Sequence, residues 1–181
     1  LPLSLGFLAT FSFAIRRNGA DGLALVIHTD PRGPSTLGRG GAHLGYGGLD
    51  SSVAVEFDAY ENVDACDDPN GNHVSVQVGG SANTAASIGY AAAGLPQLRR
   101  LGGWVCRVAY IAKEKTLIVQ LKEADHKQKE FETVLRVDGF VLEERMMLLN
   151  GKRAFIGFTA ATGGLAQEHE VSECTVSVPD D

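Results

Sequence analysis

Residues 53–58 read Val-Ala-Val-Glu-Phe-Asp, so that large apolar side chains alternate with small or acidic ones. Such alternation is typical of a β-strand that turns one face toward a core. On this strand Glu56 and Asp58 would project to the same face. Two carboxylates held this close repel each other, and a bound cation would stabilise the pair. The stretch therefore predicts a core strand and indicates a metal-binding position at its end.

The same alternation recurs on both sides of this strand. It predicts strands at Phe11–Ile15 and at 74–78, where three valines alternate with Ser75 and Gln77. Turn dipeptides such as Asn-Gly and Gly-Gly separate these segments, and short strands at this spacing are typical of an antiparallel sandwich or barrel. Trp104 is expected in the core between the sheets. Further strands are predicted at 22–28, 104–111, 116–121, 133–137, 154–159 and 173–178.

Length and composition limit the class of protein. The 181 residues, 44% of them hydrophobic, fit one domain spanning residues 1–181 with a core of its own. No apolar run approaches the ~20 residues of a membrane span. The net charge of −6 argues against nucleic acid or an anionic membrane as the main partner. Most of the 22 glycines fall in three clusters, as expected for tight turns and loops that approach a ligand closely.

Two features stay open at this stage. The charged run 122–132 fits either a short helix or a solvated loop. The three cysteines, Cys66, Cys106 and Cys174, are too few for a disulfide framework and allow at most one bridge. None of them has metal-ligand spacing to another.

Oxygen-bearing residues continue beyond the strand that ends at Asp58. Asn62 and Asp68 add side-chain oxygens, the Tyr60 carbonyl adds another, and His73 adds an imidazole nitrogen. Carboxylate, amide and carbonyl oxygens suit Ca²⁺, whereas one histidine among carboxylates suits Mn²⁺ or a similar divalent ion. The sequence therefore predicts a divalent-metal site.

Five stretches of the chain resemble the legume (L-type) lectin family. They cover nearly the whole chain in order, and are Gly19–Ala24, Leu44–Gly48, Val53–Asp58, Asp68–His73 and Phe155–Gly164. The resemblance implies an all-β jelly-roll sandwich of two large antiparallel sheets. It also implies adjacent Mn²⁺ and Ca²⁺ ions beneath a shallow sugar site, glycans or glycoproteins as partners, and a secreted, extracellular or secretory-lumen location. Some members form homo-oligomers, and the sequence leaves this chain's oligomeric state open.

The resemblance also implies roles for particular residues. The Mn²⁺-type ion would be held by Glu56, Asp58, Asp68 and His73. The Ca²⁺ ion would be held by Asp58, Asp68, Asn62 and the Tyr60 carbonyl. Sugar contacts would come from Asp21 after a cis peptide bond, from the Asn62 amide, from the Tyr60 ring, and from the loops that contain Gly41, Ala42, Gly163, Gly164 and Leu165. The metals would fix Asn62 and the loops rather than touch sugar, which lowers the entropy lost on binding.

The chain departs from the family pattern in two ways. The family has an N-terminal strand segment of some tens of residues before the Phe11 strand, and this sequence lacks it. Ala42-His43 stands where glycine is common, and could crowd the sugar loop. These departures favour an alternative function, a structural or assembly module of the same fold with lost or altered sugar binding.

A second alternative is a retaining β-glucanase on a similar sandwich. Glu56, Asp58 and Glu61 match the carboxylate spacing of such enzymes. On a regular strand, however, Glu61 points away from Glu56, and this interpretation leaves Asn62, Asp68 and His73 without a role. We therefore expect a protein that is not an enzyme. His28, His43 and His126 are predicted to be loop or surface residues.

Overall fold

A computed structural model of the protein describes residues 5–126, 128–146 and 154–178 and contains ten strands in two sheets. The strands are β1 Phe7–Arg16, β2 Gly22–His28, β3 Ser52–Asp58, β4 His73–Val78, β5 Gly89–Ala91, β6 Trp104–Ile111, β7 Thr116–Glu123, β8 Glu132–Asp138, β9 Phe155–Ala161 and β10 Glu168–Ser177. Two short helices are α1 Val63–Cys66 and α2 Leu142–Arg145, and single 3₁₀ turns occur at Gly41–His43, Thr84–Ala86 and Ala112–Glu114.

The first sheet has the strand order β10-β1-β6-β7-β8, and the second has the order β5-β4-β3-β2-β9. Each described pair of neighbouring strands is antiparallel. The predicted all-β antiparallel sandwich is therefore confirmed. None of the described helices is long or apolar enough to cross a bilayer.

The main core lies between the two sheets. Phe11 and Phe13 of β1 pack on Phe57 of β3, with ring centroids 6.1 and 4.8 Å apart. Trp104 is 5% exposed in the same core, as predicted, and its indole N–H donates to the Leu98 carbonyl over 3.2 Å. Aromatic contacts of this kind stabilise a sandwich beyond the area they bury.

A second apolar cluster covers the other face of the second sheet. Ala24, Val26 and Ala54 of that sheet pack against Leu44 and Tyr46, which come from the connection between β2 and β3. Every residue of β2 and of β3 is buried in consequence. The connection between β2 and β3 therefore forms a third layer, which covers the outer face of the second sheet.

This third layer corrects one prediction. His28 was expected at a surface or loop, but it lies at the end of β2 and is 6% exposed. Its ring stacks 5.5 Å from that of Phe155. Alternation of apolar and polar residues predicts a strand with one buried face. In this sheet the core covers one face and the connection between β2 and β3 covers the other, so His28 is buried with the rest of β2.

Element boundaries differ from prediction where the pattern is weak. β2 and β6 begin and end as predicted, whereas β10 starts at Glu168 instead of 173 and the three-residue β5 was not predicted. The described part of the charged run 122–132 forms no helix, because Lys122 and Glu123 end β7 and Glu132 begins β8. The solvated-loop interpretation of that run is therefore correct for the described residues.

Candidate functional site

Three buried side chains meet beyond the end of β3. Ligand atoms of Asp58, Asp68 and His73 all lie within 4.8 Å of one another, and the residues are 2%, 7% and 0% exposed. Asp58 ends β3 and His73 begins β4, and the two are direct partners in the antiparallel ladder. The sheet register therefore sets this spacing, and the loop between the strands returns Asp68 to the same point.

Backbone and hydroxyl donors fix the two aspartates. Asp58 Oδ1 accepts from the Tyr60 N–H over 2.8 Å, and Asp68 Oδ2 accepts from the Asn62 N–H over 2.8 Å. Thr84 Oγ1 donates to the other oxygen of Asp68 over 2.9 Å. Ligating carboxylates are commonly held in this way by donors that do not themselves touch the ion.

The surroundings of His73 determine which ring nitrogen can bind a metal. Its Nδ1 lies 2.9 Å from the Asn70 carbonyl oxygen, which can only accept, so we place the proton on Nδ1. Nε2 then presents a lone pair to Asp68 Oδ1, 3.5 Å away. Burial lowers the pKa of His73 and keeps the ring neutral. A neutral imidazole with one nitrogen hydrogen-bonded to a carbonyl is the form that ligates metals.

Glu56 lies on the same strand but outside this group of three. Its carboxylate accepts hydrogen bonds from the Tyr46 and Ser75 hydroxyls, and from the Gln77 amide over 3.2 Å. The sequence predicted Glu56 as a metal ligand, whereas here its oxygens already have three donors. Burial nevertheless raises the pKa of Glu56 to about 7, against the effect of those donors.

The charge of the site is not balanced by protein cations. Among the described residues no lysine or arginine forms an ion pair with Glu56, Asp58 or Asp68. Burial raises the pKa of Asp58 well above its ordinary value, and the neighbouring carboxylates raise it further. Buried carboxylates are normally paired with a cation or bound to a metal, so a divalent ion fits this donor set.

Asn62 and Asp21 each present a buried oxygen that lacks a partner. Asn62 Oδ1 and Asp21 Oδ2 have no hydrogen-bond partner among the described residues. Burial raises the pKa of Asp21, while a hydrogen bond from the Asn62 side chain lowers it, so the two residues are neighbours. Such orphaned atoms are uncommon in folded proteins and call for an explanation such as an ion or a ligand.

Backbone contacts hold Asp21 between the two edges of this site. The peptide bond between Ala20 and Asp21 is cis, as the resemblance implied. The Asp21 N–H donates to the Ala161 carbonyl, and the Asp21 carbonyl accepts from the Ala59 N–H, both over 3.0 Å. Asp21 is thereby tied both to β9 and to the residue that follows β3.

Two glycine loops border the Asp21 carboxylate. A Cβ added at Gly41 or at Gly163 would lie 4.0 or 3.5 Å from Asp21 Oδ2. Gly41 has φ +59°, a conformation that glycine adopts without strain. Of the remaining predicted sugar contacts, Ala42 is half-buried beside Gly41, and three residues are exposed: Tyr60, Gly164 and Leu165. The Asp21 carboxylate thus lies between the loop that contains Gly41 and the loop that contains Gly163.

A hydrogen bond from a thiol joins the loop between β3 and β4 to the loop that contains Gly41 and Ala42. Cys66 of α1 is 2% exposed, and its Sγ donates to the Ala42 carbonyl over 3.3 Å. Cys66 belongs to the second apolar cluster with Leu44 and Tyr46, and Ala42 packs against that cluster. All three cysteines are free thiols. The loop that carries Asn62 and Asp68 is therefore packed against the loop that carries Gly41 and Ala42.

Sequence reasoning missed several residues of this site. Thr84, Tyr46, Ser75 and Gln77 support the acidic residues from other loops and strands. The sequence does contain a signal for Ser75 and Gln77, which are polar residues that alternate with valines along a core strand. The structure shows that both are buried, so they could be expected to bind other polar groups. No local pattern marks Thr84, because only the fold brings it to Asp68.

Glu61 does not join the other carboxylates. It is exposed beyond the end of β3, whereas Glu56 is 2% exposed and fully hydrogen-bonded. A retaining glycosidase needs two carboxyl groups facing one bond of the substrate, about 5 Å apart. The described geometry of Glu56 and Glu61 does not favour this arrangement.

The fold and this site define a lectin-like β-sandwich with a carboxylate–histidine centre at its loop end. Residues 4–180 match the legume lectin domain, and the chain belongs to the legume lectin family. This family is made up of non-catalytic carbohydrate-binding proteins.

Several solved lectin structures share the fold. Peanut lectin with a 9mer peptide is 24% identical, with a TM-score of 0.65, and the match covers 96% of this chain and 73% of that one. Lectin II from Ulex europaeus is 20% identical, with a TM-score of 0.68 and coverage of 95% and 72%. The exoplasmic/lumenal domain of VIP36 in its Ca²⁺- and mannose-bound form is 17% identical, with a TM-score of 0.68 and coverage of 97% and 68%.

Proposed function

We propose that this protein is a metal-dependent lectin that binds glycans or glycoproteins without catalysis. The observation that carries the proposal is the pair of orphaned buried oxygens, Asn62 Oδ1 and Asp21 Oδ2, beside the Asp58–Asp68–His73 cluster. A metal ion would supply the missing partner of Asn62 Oδ1, and a sugar hydroxyl would supply that of Asp21 Oδ2. Family membership supports the carbohydrate-binding part of the proposal.

The proposed metal centre takes Ca²⁺ together with Mn²⁺ or another divalent transition metal. Asp58, Asp68 and Asn62, with the Tyr60 carbonyl, would hold Ca²⁺, because hard oxygen donors suit that ion. Asp58, Asp68 and His73, with Glu56, would hold the transition metal, because the nitrogen ligand favours it. The ions would supply the positive charge that the protein side chains do not, and would fix the conformation of the loop from Asn62 to Asp68.

The proposed sugar site lies over Asp21 and Asn62. Asp21 would accept hydrogen bonds from sugar hydroxyls and Asn62 would donate one, while the Tyr60 ring would stack on the apolar face of a pyranose. The loops containing Gly41, Ala42 and Gly163–Leu165 would complete the contacts. Affinity for one monosaccharide is expected to be weak, and several sites together would raise the avidity. A secreted or secretory-lumen location goes with this function, and the VIP36 domain that shares the fold is described as exoplasmic/lumenal.

A glycan array read with Ca²⁺ and Mn²⁺ present, after EDTA, and after the ions are restored tests this function. We expect binding to a restricted set of glycans that disappears with EDTA and returns with the ions. Metal content measured on the same samples separates the alternatives. Full metal occupancy with no glycan bound would contradict the lectin function and would favour the assembly module suggested by Ala42-His43.

Asp21→Ala tests the assignment of the site itself. This substitution removes the acceptor that faces Gly41 and Gly163 but no proposed metal ligand. We expect glycan affinity to fall by roughly 100-fold, since a polar site that loses a buried acceptor leaves sugar hydroxyls unpaired, while metal content stays unchanged. Asp125→Ala, which removes an exposed carboxylate elsewhere, is the matched control. Unchanged glycan binding by Asp21→Ala would refute the assignment.

A further inference from the structure

A depression of about 500 Å³ lies beside the proposed sugar site, on the side of Tyr60 and Leu165. It does not include Asp21, Asn62, Gly41 or Gly163 among its lining residues. Tyr60 and Leu165, two of the residues proposed to contact sugar, line the depression and are 36% and 50% exposed. A glycan seated over Tyr60 would therefore have room to extend into this depression.

Close backbone packing makes the walls of the depression rigid. On one side a Cβ at Gly19 would lie 2.0 Å from the Ala166 carbonyl oxygen, so the two loops touch there. The Gln167 amide reinforces that contact by donating to the carbonyls of Arg17 and Gly19 over 3.2 and 3.4 Å. A surface that is already ordered loses little entropy when it binds a ligand.

Arg99 also lines the depression, on a segment that hydrogen bonds hold in place. The Leu98 N–H donates to the Asn72 side chain over 2.8 Å, and the Leu98 carbonyl accepts from the Trp104 indole. The Arg99 backbone forms a bridge with Ile15 of β1. The backbone of Arg99 is therefore held in place next to the depression.

Arg99 differs from the arginines around it in its charge environment. Arg100 pairs with Asp125 and Glu123 over 2.7 and 3.2 Å, and Arg17 pairs with Glu168 over 3.5 Å. Arg99 forms no ion pair with any carboxylate in the described part of the chain. Arg99 is half-buried, lines the open depression and has no carboxylate partner there, and an arginine in this situation suits an anion that accepts two parallel hydrogen bonds.

We propose that the depression is a second saccharide subsite, and that it takes a sugar unit whose carboxylate, sulfate or phosphate group binds Arg99. This inference rests on the proposed glycan-binding function and names the class of glycan that it prefers. The exposed side chain of Asn18 lines the same depression and adds an amide for the hydroxyl groups of that unit. Tyr60 and Leu165 offer apolar surface to its C–H face.

Glu61 provides an internal check on the charge of the ligand. It also lines the depression, and its carboxylate repels an anionic unit but would accept hydrogen bonds from a neutral one. Replacing Glu61 by glutamine therefore shifts the two kinds of ligand in opposite directions. An anionic unit binds more tightly to Glu61→Gln, and a neutral unit that uses this carboxylate binds less tightly.

The test uses pairs of oligosaccharides that differ only in the anionic group of the outer unit, with separate carboxylate, sulfate and phosphate members. Affinities are measured by calorimetry for the metal-loaded protein and its variants. We expect the wild type to bind one anionic member about 5- to 10-fold more tightly than its neutral partner, as for a charge-assisted hydrogen bond. Arg99→Gln should reduce this preference to parity, and Glu61→Gln should increase it.

Arg145→Gln is the control for net charge. Arg145 is exposed and lies far from the depression. Its helix, α2, contacts Tyr110, which pairs with Phe7 at the start of β1. Arg99 bridges Ile15 near the other end of the same strand. Arg145→Gln should leave the preference unchanged. Equal affinities for neutral and anionic partners, a preference that survives Arg99→Gln, or weaker anionic binding by Glu61→Gln would each overturn the subsite. Absence of binding even to the monosaccharide at the Asp21 site would instead overturn the proposed function.

Discussion

Two clusters of acidic and histidine side chains in the described part of this protein are both compact enough for a metal ion but have opposite surroundings. Asp58, Asp68 and His73 form the buried cluster, and Glu123, Asp125 and His126 form the surface cluster. In each cluster the candidate ligand atoms lie within 4.8 Å of one another. Spacing alone therefore does not distinguish them.

Their partners do distinguish them. The surface cluster is compensated by Arg100, which lies 2.7 Å from Asp125, and by Lys129, which lies 2.9 Å from Glu123. Hydrogen bonds from these cations lower the pKa values of Asp125 and Glu123. In the buried cluster, burial raises the pKa of Asp58. Buried carboxylates without a protein cation are normally bound to a metal, and for this reason the buried cluster, rather than the surface cluster, is the metal site that we propose.

The largest effect is expected from removing one carboxylate of the buried cluster. Asp58→Asn keeps the size of the side chain but removes the charge that both proposed ions share. We expect metal content, measured by inductively coupled plasma mass spectrometry, to fall to background, and glycan affinity to fall by roughly 100-fold or more. Full metal content in Asp58→Asn would remove the distinction drawn between the clusters.

Chelation should act on the buried cluster alone. If each ion is present at about 100 times its dissociation constant, binding stabilises the fold by about 2.7 kcal/mol per site. EDTA removes both proposed ions, so for a domain of this size we expect it to lower Tm by roughly 10–20 °C. Differential scanning calorimetry with restored Ca²⁺ and Mn²⁺ checks reversibility. A Tm that is insensitive to EDTA would mean that the buried carboxylates need no ion.

The metal-free protein should show an unusual pH dependence. Burial raises the pKa of Glu56 in the folded state to about 7 from an ordinary value of 4.5, and that of Asp58 is raised too. A folded-state pKa above the unfolded value gives stability at low pH that is lost as pH rises through the folded pKa. The lowered pKa values of the buried histidines act in the opposite direction, so the contribution of Glu56 is isolated by comparison with Glu56→Gln. In EDTA we expect the Tm of Glu56→Gln to rise relative to that of the wild type as pH increases from about 5 to about 8. A Tm difference that does not grow with pH would contradict the charge imbalance of the buried cluster.

The smallest effect is expected at the surface cluster. Asp125→Asn breaks the ion pair with Arg100, and a pair this close to the surface contributes at most about 1 kcal/mol. We expect Tm to change by no more than roughly 2–4 °C, and metal content and glycan binding to stay at wild-type levels. The change should shrink further at high salt. Loss of metal from Asp125→Asn would show that the surface cluster also binds an ion.

The sequence predicts most strands because their side chains alternate strongly. β2 and β6 were located to the residue, whereas β10 was placed late because Glu168 and Glu170 alternate with His169 and Val171 at its exposed start and give no strong apolar pattern. β5 reads Gly-Tyr-Ala and has no apolar alternation to detect. Periodicity records one buried face, so it could not show that a loop layer also buries His28.

The candidate site was predicted unevenly for the same reason. Asp58, Asp68 and His73 lie close in sequence, and their spacing along one strand–loop–strand unit brings them together. Thr84 reaches Asp68 from a separate turn, and Tyr46 reaches Glu56 from the layer above the sheet. Such supporting contacts depend on tertiary packing, which a local pattern does not contain. The metal and sugar roles of the predicted residues remain predictions for the experiments above.

The hydrogen bond from Cys66 to the Ala42 carbonyl has a thermodynamic consequence. It joins the loop proposed to hold the ions to the loop proposed to hold the sugar, so ordering one loop favours the ordered form of the other. In such a linked system each ligand changes the affinity of the other by the same factor. Bound glycan should therefore raise the equilibrium affinity of this protein for metal by the same factor by which metal raises its affinity for glycan, so the proposed site would hold its ions best where its ligands are abundant.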